Sequence, residues 1–287
     1  MKERLSPIFR WIVLGLLVVV LPLMLGTTMA PNLVPEPRVG VIRFWTDIWY
    51  GTAQDAVDQL AYARDDPSIK AVVIVVDSPG GEVSSSENLY LSVLHTRESM
   101  PVVVTVDYMA ASGAYLLSVA ADEIYAKPTS LVGNIGVIGY ASVVPYIDEQ
   151  ILTTGPYKAF GGTQAGRVRQ MEMAKESFLA AVQAGRDGRL NVSSDFLSRG
   201  EIFSGVHAKE LGLIDDLLST DEATARAGEM AGLRNFETVD LWNLAFPDRP
   251  PYEEYFFFGS DAESERNWTA VEDLPPGLYY RYVELPR

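Results

Sequence analysis

Two apolar runs rich in valine and isoleucine each end at a turn of small residues, and this repeat constrains the fold most. The first run, residues 72–76, leads into Asp77-Ser78-Pro79-Gly80-Gly81, and the second, residues 102–106, leads towards Met109-Ala110-Ala111-Ser112-Gly113. Unbroken β-branched runs are typical of strands buried in a parallel sheet. A segment with helical spacing follows each turn. The order strand, helix, strand, helix therefore predicts an α/β fold with a largely parallel sheet.

The rest of the chain continues this pattern. The sequence predicts strands at residues 39–44, 70–76, 101–106, 123–126 and within 131–138, and helices at 52–64, 84–94, 115–121, 168–186, 193–199 and 207–213. Ser84 and Glu87 have the spacing of a capping box for the second of these helices.

Both small-residue turns come at the carboxyl ends of predicted strands, where ligands gather in parallel α/β sheets. Ser112 lies between a strand and a helix, so the unpaired N–H groups and the positive dipole of the helix start face its side chain. Gly80 and Gly81 let the other turn direct backbone N–H groups at a ligand. Two such strand ends form an oxyanion site for a tetrahedral intermediate, with Ser112 as the candidate nucleophile.

A serine nucleophile needs a base, because a free hydroxyl reacts weakly at neutral pH. His95 and His207 occupy positions typical of surface or capping residues. A lysine can serve instead if desolvation lowers its pKa towards 7, which takes roughly 3 units or about 4 kcal/mol. The lysines between Ser112 and the carboxyl-terminal tail are Lys127, Lys158, Lys175 and Lys209. Only Lys158 has apolar neighbours on both sides. From the residues alone, it is either this base or an ordinary lysine beside aromatic residues.

The composition excludes several other chemistries. The chain has no cysteine and 2 histidines, which argues against disulfides, thiol catalysis and a metal site built from either residue. Its net charge of −15, without a concentrated basic patch, argues against nucleic-acid binding. No metal or organic cofactor is therefore expected.

The amino terminus predicts a membrane anchor. Residues 1–10 carry Lys2, Arg4 and Arg10, and residues 11–30 form a run without charges, about 30 Å long as a helix. A cleaved signal peptide is the alternative, but Pro31 would block cleavage after Ala30, so a retained single-pass helix is favoured. The positive-inside rule makes 1–10 a cytoplasmic tail in the cell membrane and, beyond a linker at 31–38, places the remaining chain on the extracytoplasmic side.

Several motifs, in order along the chain, resemble the signal peptide peptidase A family. They are Asp77-Ser78-Pro79-Gly80-Gly81, Met109-Ala110-Ala111-Ser112-Gly113, Ala120-Ala121-Asp122-Glu123-Ile124-Tyr125-Ala126, Gly133-Asn134-Ile135-Gly136-Val137 and Tyr157-Lys158, with Gly185-Arg186 and 202–215 resembling the family's later segment. The resemblance implies a Clp-protease-like or crotonase-like superhelix of βα units, with a peptidase domain at 39–218. The C-terminal helix and the acidic, aromatic extension at 219–287 form a separate part, and the tail from Asp248 has no counterpart.

The resemblance also implies a Ser-Lys dyad. Ser112 is then the nucleophile, Lys158 the general base, and the N–H groups of Gly81 and Gly113 the oxyanion hole. The family often has serine at the position of Asn134, where the side chain is implicated in orienting the lysine; an asparagine carbonyl can accept a hydrogen bond from an ammonium. Short members form homo-oligomeric rings in which a neighbouring protomer can supply the lysine. Their substrates are extended peptides, including signal peptides left in the membrane.

Three other functions remain open at this point. One is a crotonase-type acyl-CoA enzyme, which uses a similar oxyanion hole. Another is a peptidase dedicated to a membrane partner of the stomatin type. The third is a non-catalytic scaffold on the same fold, against which the intact Ser112 and Lys158 argue.

Overall fold

The computed structural model describes residues 11, 13–25, 36–140, 154–155, 157–158, 161–257 and 277–281. The chain forms two compact units, Met1–Pro37 and Arg38–Arg287. In the first unit, the described residues between Trp11 and Leu25 are helical and include a π-helical segment, Leu16–Val20. Within the described part of the chain, no helix combines the length and the apolarity needed to cross a bilayer. The expected cytoplasmic tail, the end of the expected span at 26–30 and most of the linker lie outside the described residues.

The second unit is built on a sheet with the strand order β10-β1-β2-β4-β5-β9. Every neighbouring pair along this path is parallel; β6 pairs parallel to the end of β4, and β8 pairs antiparallel to β6. The strands are β1 Arg38–Phe44, β2 Ile69–Ser78, β3 Gly80–Glu82, β4 Val102–Ala111, β5 Glu123–Ala126, β6 Leu131–Gly133, β7 Ile138–Tyr140, β8 Ile202–Ser204, β9 Asp216–Leu217, β10 Glu237–Asp240 and β11 Gly277–Arg281. The prediction of an α/β fold with a largely parallel sheet is confirmed.

Helices cover both faces of this sheet. They are α1 Tyr50–Asp65, α2 Val83–Arg97, α3 Gly113–Ser118, α4 Gln164–Gly185, α5 Ser194–Leu197, α6 Gly205–Glu210, α7 Thr220–Met230, α8 Leu241–Ala245 and α9 Tyr252–Phe257. Alternate residues of β2 point to opposite faces: Val72, Ile74 and Val76 join the core beneath α1 to α3, whereas Ala71, Val73 and Val75 join a smaller cluster beneath α7. Burial on both faces explains why this strand is an unbroken apolar run.

A second, smaller sheet lies beyond the end of β2. It has the order β3-β11-β7, and β11 is antiparallel to both of its neighbours. One of its strands therefore comes from the C-terminal extension.

Several predicted elements have different bounds in the structure, and the two differences nearest Ser112 concern β4 and the start of α2. Strand β4 continues to Ala111, beyond its predicted end, because Ala110 and Ala111 still pair with neighbouring strands. The expected capping box of Ser84 and Glu87 is wrong. Glu82 caps α2 instead, its carboxylate accepting from the N–H groups of Ser84 and Ser85 at 3.2 and 2.8 Å.

Candidate active site

Ser112 is held in a backbone conformation that L-residues rarely adopt. It follows β4 directly and precedes α3, with φ 54° and ψ −121°. Its carbonyl accepts from the N–H groups of Tyr115 and Leu116, and its own N–H donates to the carbonyl of Gly133 at 2.8 Å. The residue is buried, with 1% of its surface exposed. A strained serine at a sharp turn between a strand and a helix also occurs in the nucleophile elbow of α/β-hydrolases.

The glycine turn lies beside Ser112 because β2 and β4 are neighbours. Ser78, at the end of β2, is opposite Ala110 in the register. The buried Ser78 hydroxyl accepts from the N–H of Gly80 at 3.2 Å, which fixes the turn into β3. Gly80 has φ 92°, a value that favours glycine.

Gly81 is needed for a close crossing of two backbones. A Cβ at this position would lie 2.0 Å from the carbonyl oxygen of Ile48. The Ile48 N–H donates to the Gly80 carbonyl at 2.9 Å, and the Glu82 N–H donates to the Ile48 carbonyl at 2.8 Å. Packing against Ile48 is thus sufficient to require glycine here, whatever role its N–H has in catalysis.

Gly133 and Asn134, at the end of β6, form the third segment around Ser112, after β4 and the glycine turn. Gly133 is opposite Ala111, and its carbonyl holds the Ser112 N–H. Asn134 has φ 56°, which asparagine tolerates better than most residues. Its N–H donates to Glu201 at 2.7 Å, and its side-chain amide donates to the Gly200 carbonyl at 2.8 Å. The Asn134 amide group therefore anchors the loop before β8.

The chain matches two known families over these elements. The model of peptidase family S49 matches residues 95–234, and the model of Clp protease matches residues 38–132. Protease 4 of Salmonella typhi is 35% identical over 207 residues, covering 67% of this chain and 32% of that protein. Residues 95–234 belong to peptidase family S49.

Other relatives of this S49 member agree with that assignment. The chloroplastic serine protease SPPA of Arabidopsis thaliana is 26% identical over 209 residues, covering 68% of this chain and 31% of that protein. The chain thus spans about a third of the length of these two relatives. Among solved structures, a membrane-bound stomatin-specific protease has the same fold, with a TM-score of 0.52 at 17% identity, covering 72% of this chain and 98% of that one. The expected resemblance to a family of serine peptidases is confirmed.

Three lysines of this S49 member are engaged in ion pairs. Lys127 pairs with Asp107, Lys175 with Glu172 and Lys209 with Asp216. The hydrogen bond to Glu172 raises the pKa of Lys175, which is opposite to the change that a general base needs. Lys158 is exposed in the single chain, and its N–H lies 3.5 Å from the Gly155 carbonyl. Residues 156, 159 and 160 around it lie outside the described part, and its role as the base stays a prediction.

The two histidines have surface roles. His95 is exposed and lies 3.1 Å from Glu98. His207 is exposed in α6, where the Ser204 hydroxyl accepts from its N–H and its ring packs on Phe203. The interpretation of both as surface or capping residues agrees with these contacts.

Arg186 and Tyr115 both bond to the segment before β9, which belongs to the motif at residues 202–215. Arg186 is buried and donates to the Gly212 carbonyl at 2.9 Å and to Asp215 at 2.8 Å. Burial raises the pKa of the Tyr115 phenol, which stays protonated and donates to the Leu213 carbonyl at 2.8 Å. The Tyr115 bond thus fastens the segment before β9 to α3, the helix that follows Ser112, and the Arg186 bonds fasten it to the end of α4.

Sequence reasoning missed the contribution of the C-terminal extension. Tyr279 in β11 is buried, and its ring lies 5.6 Å from that of Trp49 in an edge-to-face contact. The aromatic cluster at residues 45–50 and the aromatic tail were both visible in the sequence. Nothing in their spacing indicated that they pair.

Proposed function

We propose that this S49 member is a membrane-anchored serine endopeptidase that cleaves extended peptides, such as remnant signal peptides, through a Ser-Lys dyad. The observation that carries the proposal is the strained, buried Ser112 at the end of β4. An outlying backbone conformation of this kind costs about 1–3 kcal/mol and persists at sites where the strain serves a function.

In the proposed reaction, the Ser112 oxygen attacks the carbonyl carbon of the substrate peptide bond. Its proton passes to the neutral amine of Lys158, and the N–H groups of Gly81 and Gly113 hold the developing oxyanion. The C–N bond then breaks as the Lys158 ammonium protonates the leaving amine. Water releases the acyl group by the same steps in reverse.

A lysine that acts as a general base has to be shielded from water. Lys158 is exposed in the single chain, so the proposed mechanism needs a further source of this shielding. We propose that ring assembly supplies it, either by burying Lys158 beside Ser112 of its own chain or by bringing it to Ser112 of a neighbour. Asn134 keeps its candidate role in orienting the lysine, in addition to anchoring the Gly200 loop.

The experiment uses the full chain in detergent with a fluorogenic peptide. We expect Ser112→Ala and Lys158→Ala each to lower kcat/KM at least about a thousandfold. Lys158→Arg should be equally inactive, because arginine does not give up its proton at neutral pH. Lys175→Ala, which removes a partly exposed, ion-paired lysine, is the matched control and should stay active.

Mixing the two inactive variants distinguishes the source of the lysine. Activity returns in mixed assemblies of Ser112→Ala and Lys158→Ala if the lysine acts across a subunit contact. It stays absent if both residues act within one chain. An active Lys158→Ala variant would remove the dyad from the proposal.

We further propose that residues 11–30 anchor the protein, with residues 1–10 in the cytoplasm and the peptidase domain on the other side of the cell membrane. In the described part of this segment the large apolar side chains are exposed, including Val18 at 65% and Leu23 at 67%. Carbonate extraction should leave the protein in the membrane fraction, and added protease should degrade it only when it can reach the extracytoplasmic side. Release by carbonate would contradict the anchor.

The acyl-CoA alternative makes a distinct prediction. A crotonase-type enzyme binds coenzyme A in solution, whereas a peptidase of this family has no need of it. Calorimetry with coenzyme A should give no binding heat.

A further inference from the structure

Strand β11 fills the gap between β3 and β7. Tyr279, Tyr280 and Arg281 lie opposite Glu82, Gly81 and Gly80, respectively. On its other edge, β11 pairs antiparallel with Ile138–Tyr140. A five-residue segment from the C-terminal extension is thus held along both of its edges by the turn beside Ser112 and by β7.

The backbone of Gly81 is directed at this strand. Ile48 bonds to the carbonyl of Gly80 and to the N–H of Glu82, on one edge of β3. Successive residues of a strand direct their N–H and C=O groups to opposite edges. Gly81 therefore directs its N–H and C=O to the other edge, where Tyr280 lies opposite. The N–H proposed for the oxyanion hole faces the backbone of β11.

The side chain of Tyr279 is seated in the same region. It is 3% exposed, and its ring meets Trp49 edge to face. Strand β11 also packs against α2 and against α3, the helix that starts directly after Ser112. The segment therefore has both features by which an extended peptide is recognised, namely main-chain pairing and a side chain in a pocket.

We propose that residues 277–281 occupy the peptide-binding groove of their own chain as a substrate-like strand that peptides must displace, with the Tyr279 subsite accepting an aromatic side chain. This inference rests on the proposed function, because it takes the groove beside Ser112 as the substrate site. Gly81 cannot pair with β11 and hold the carbonyl of a substrate at the same time. A tethered competitor also acts at a high effective concentration, so it restrains activity without binding tightly.

The chain offers a direct test of the register, since it has no cysteine. Glu82 and Tyr279 are opposite each other and form a non-hydrogen-bonded pair, the kind in which side chains come closest. The double variant Glu82→Cys with Tyr279→Cys should form a disulfide within one chain on mild oxidation. The control, Glu82→Cys with Tyr280→Cys, is out of register by one residue and should not. A disulfide found only between two chains would overturn the assignment to the same chain.

The same double variant tests competition. Oxidation should abolish hydrolysis of a fluorogenic peptide, and reduction should restore it, while the single variant Glu82→Cys responds to neither treatment. In the unlocked full chain, Tyr279→Ala should lower KM, by about tenfold if β11 occupies the groove nine-tenths of the time. Tyr279→Phe, which keeps the ring, should leave KM close to that of the natural chain. An unchanged KM in Tyr279→Ala would overturn the proposed competition.

A binding experiment separates this inference from the proposed function. A labelled peptide with the sequence Gly-Leu-Tyr-Tyr-Arg, that of residues 277–281, is titrated into the double-cysteine variant that also carries Ser112→Ala. Fluorescence anisotropy should show binding to the reduced form and none to the oxidised form, with Gly-Leu-Ala-Tyr-Arg binding more weakly. This result would support the groove even if no peptidase activity were found. Equal binding to both forms would overturn the inference even in an active enzyme.

Discussion

The N–H of Ser112 donates a 2.8 Å hydrogen bond to the carbonyl of Gly133, and this bond ties the candidate nucleophile to the end of β6. Gly133 has φ 113°, and a Cβ there would lie 3.1 Å from the Glu201 carbonyl oxygen. The backbone of Ser112 is thus held by a hydrogen bond at a crowded crossing of backbones. The sheet imposes the strained conformation of Ser112, with α3 starting directly after it.

Relief of this strain can be measured by comparing two variants of Ser112. Both Ser112→Ala and Ser112→Gly remove the hydroxyl, but only glycine adopts φ 54° without a steric penalty. We expect Ser112→Gly to be about 1 kcal/mol more stable than Ser112→Ala, because relief of strain exceeds the extra backbone entropy that glycine loses. Urea unfolding of the two full-length variants measures the difference. Alanine as stable as glycine would mean that Ser112 is unstrained.

Gly81→Ala is expected to destabilise the protein as well as inactivate it. The new Cβ would lie 2.0 Å from the Ile48 carbonyl oxygen, and neither backbone can move without breaking its hydrogen bonds. The expected loss is about 3 kcal/mol, at the upper end for overpacking. Thermal unfolding followed by circular dichroism measures it.

Gly51→Ala is the matched control for this substitution. Gly51 lies in α1, and a Cβ there would meet nothing within 4 Å. Alanine should therefore stabilise the helix slightly, by less than about 0.5 kcal/mol, because Gly51 lies in the first turn. If Gly81→Ala unfolds like the natural chain, the crossing with Ile48 is not as tight as described.

The parallel sheet could be predicted from sequence because each of its strands is indicated by an apolar run of neighbouring residues. The strand predicted at 123–126 has its observed bounds, and the junction at Ser112 follows from the change in spacing after 106. The pairing of β11 with β3 could not be predicted, since it joins segments that are far apart in the sequence. The strain at Ser112 was also hidden, because the hydrogen bond to Gly133 that accompanies it joins separate segments of the chain. Glu82 replaced Ser84 as the cap of α2 because the helix begins earlier than its apolar spacing indicated.

Arg186 is expected to be structural and not catalytic. It is 1% exposed, and it donates to Asp215 at 2.8 Å. Arg186→Ala leaves the carboxylate of Asp215 without its buried partner, so we expect a loss of about 3–5 kcal/mol in the free energy of unfolding. Arg189→Ala removes a half-exposed partner of the same carboxylate, 2.9 Å away, and should cost less than about 1 kcal/mol. Equal losses in the two variants, measured in urea, would argue against this interpretation.

The ion pair of Glu123 and Arg226 makes the stability of the protein depend on pH. Hydrogen bonds from Arg226 hold the pKa of Glu123 below its usual range, although partial burial acts in the opposite direction. A carboxyl group whose pKa is lowered by folding stabilises the protein above its unfolded pKa of about 4.3, and this stabilisation is lost as the pH falls through the folded pKa. Glu123→Gln should therefore cost up to about 1 kcal/mol at pH 7, since Arg226 is partly exposed, and little at pH 3. Urea unfolding at both values tests this, with the exposed Glu210→Gln as a control that should show no such pH dependence. A penalty for Glu123→Gln that persists at pH 3 would mean that the side chain acts through packing and not through its charge.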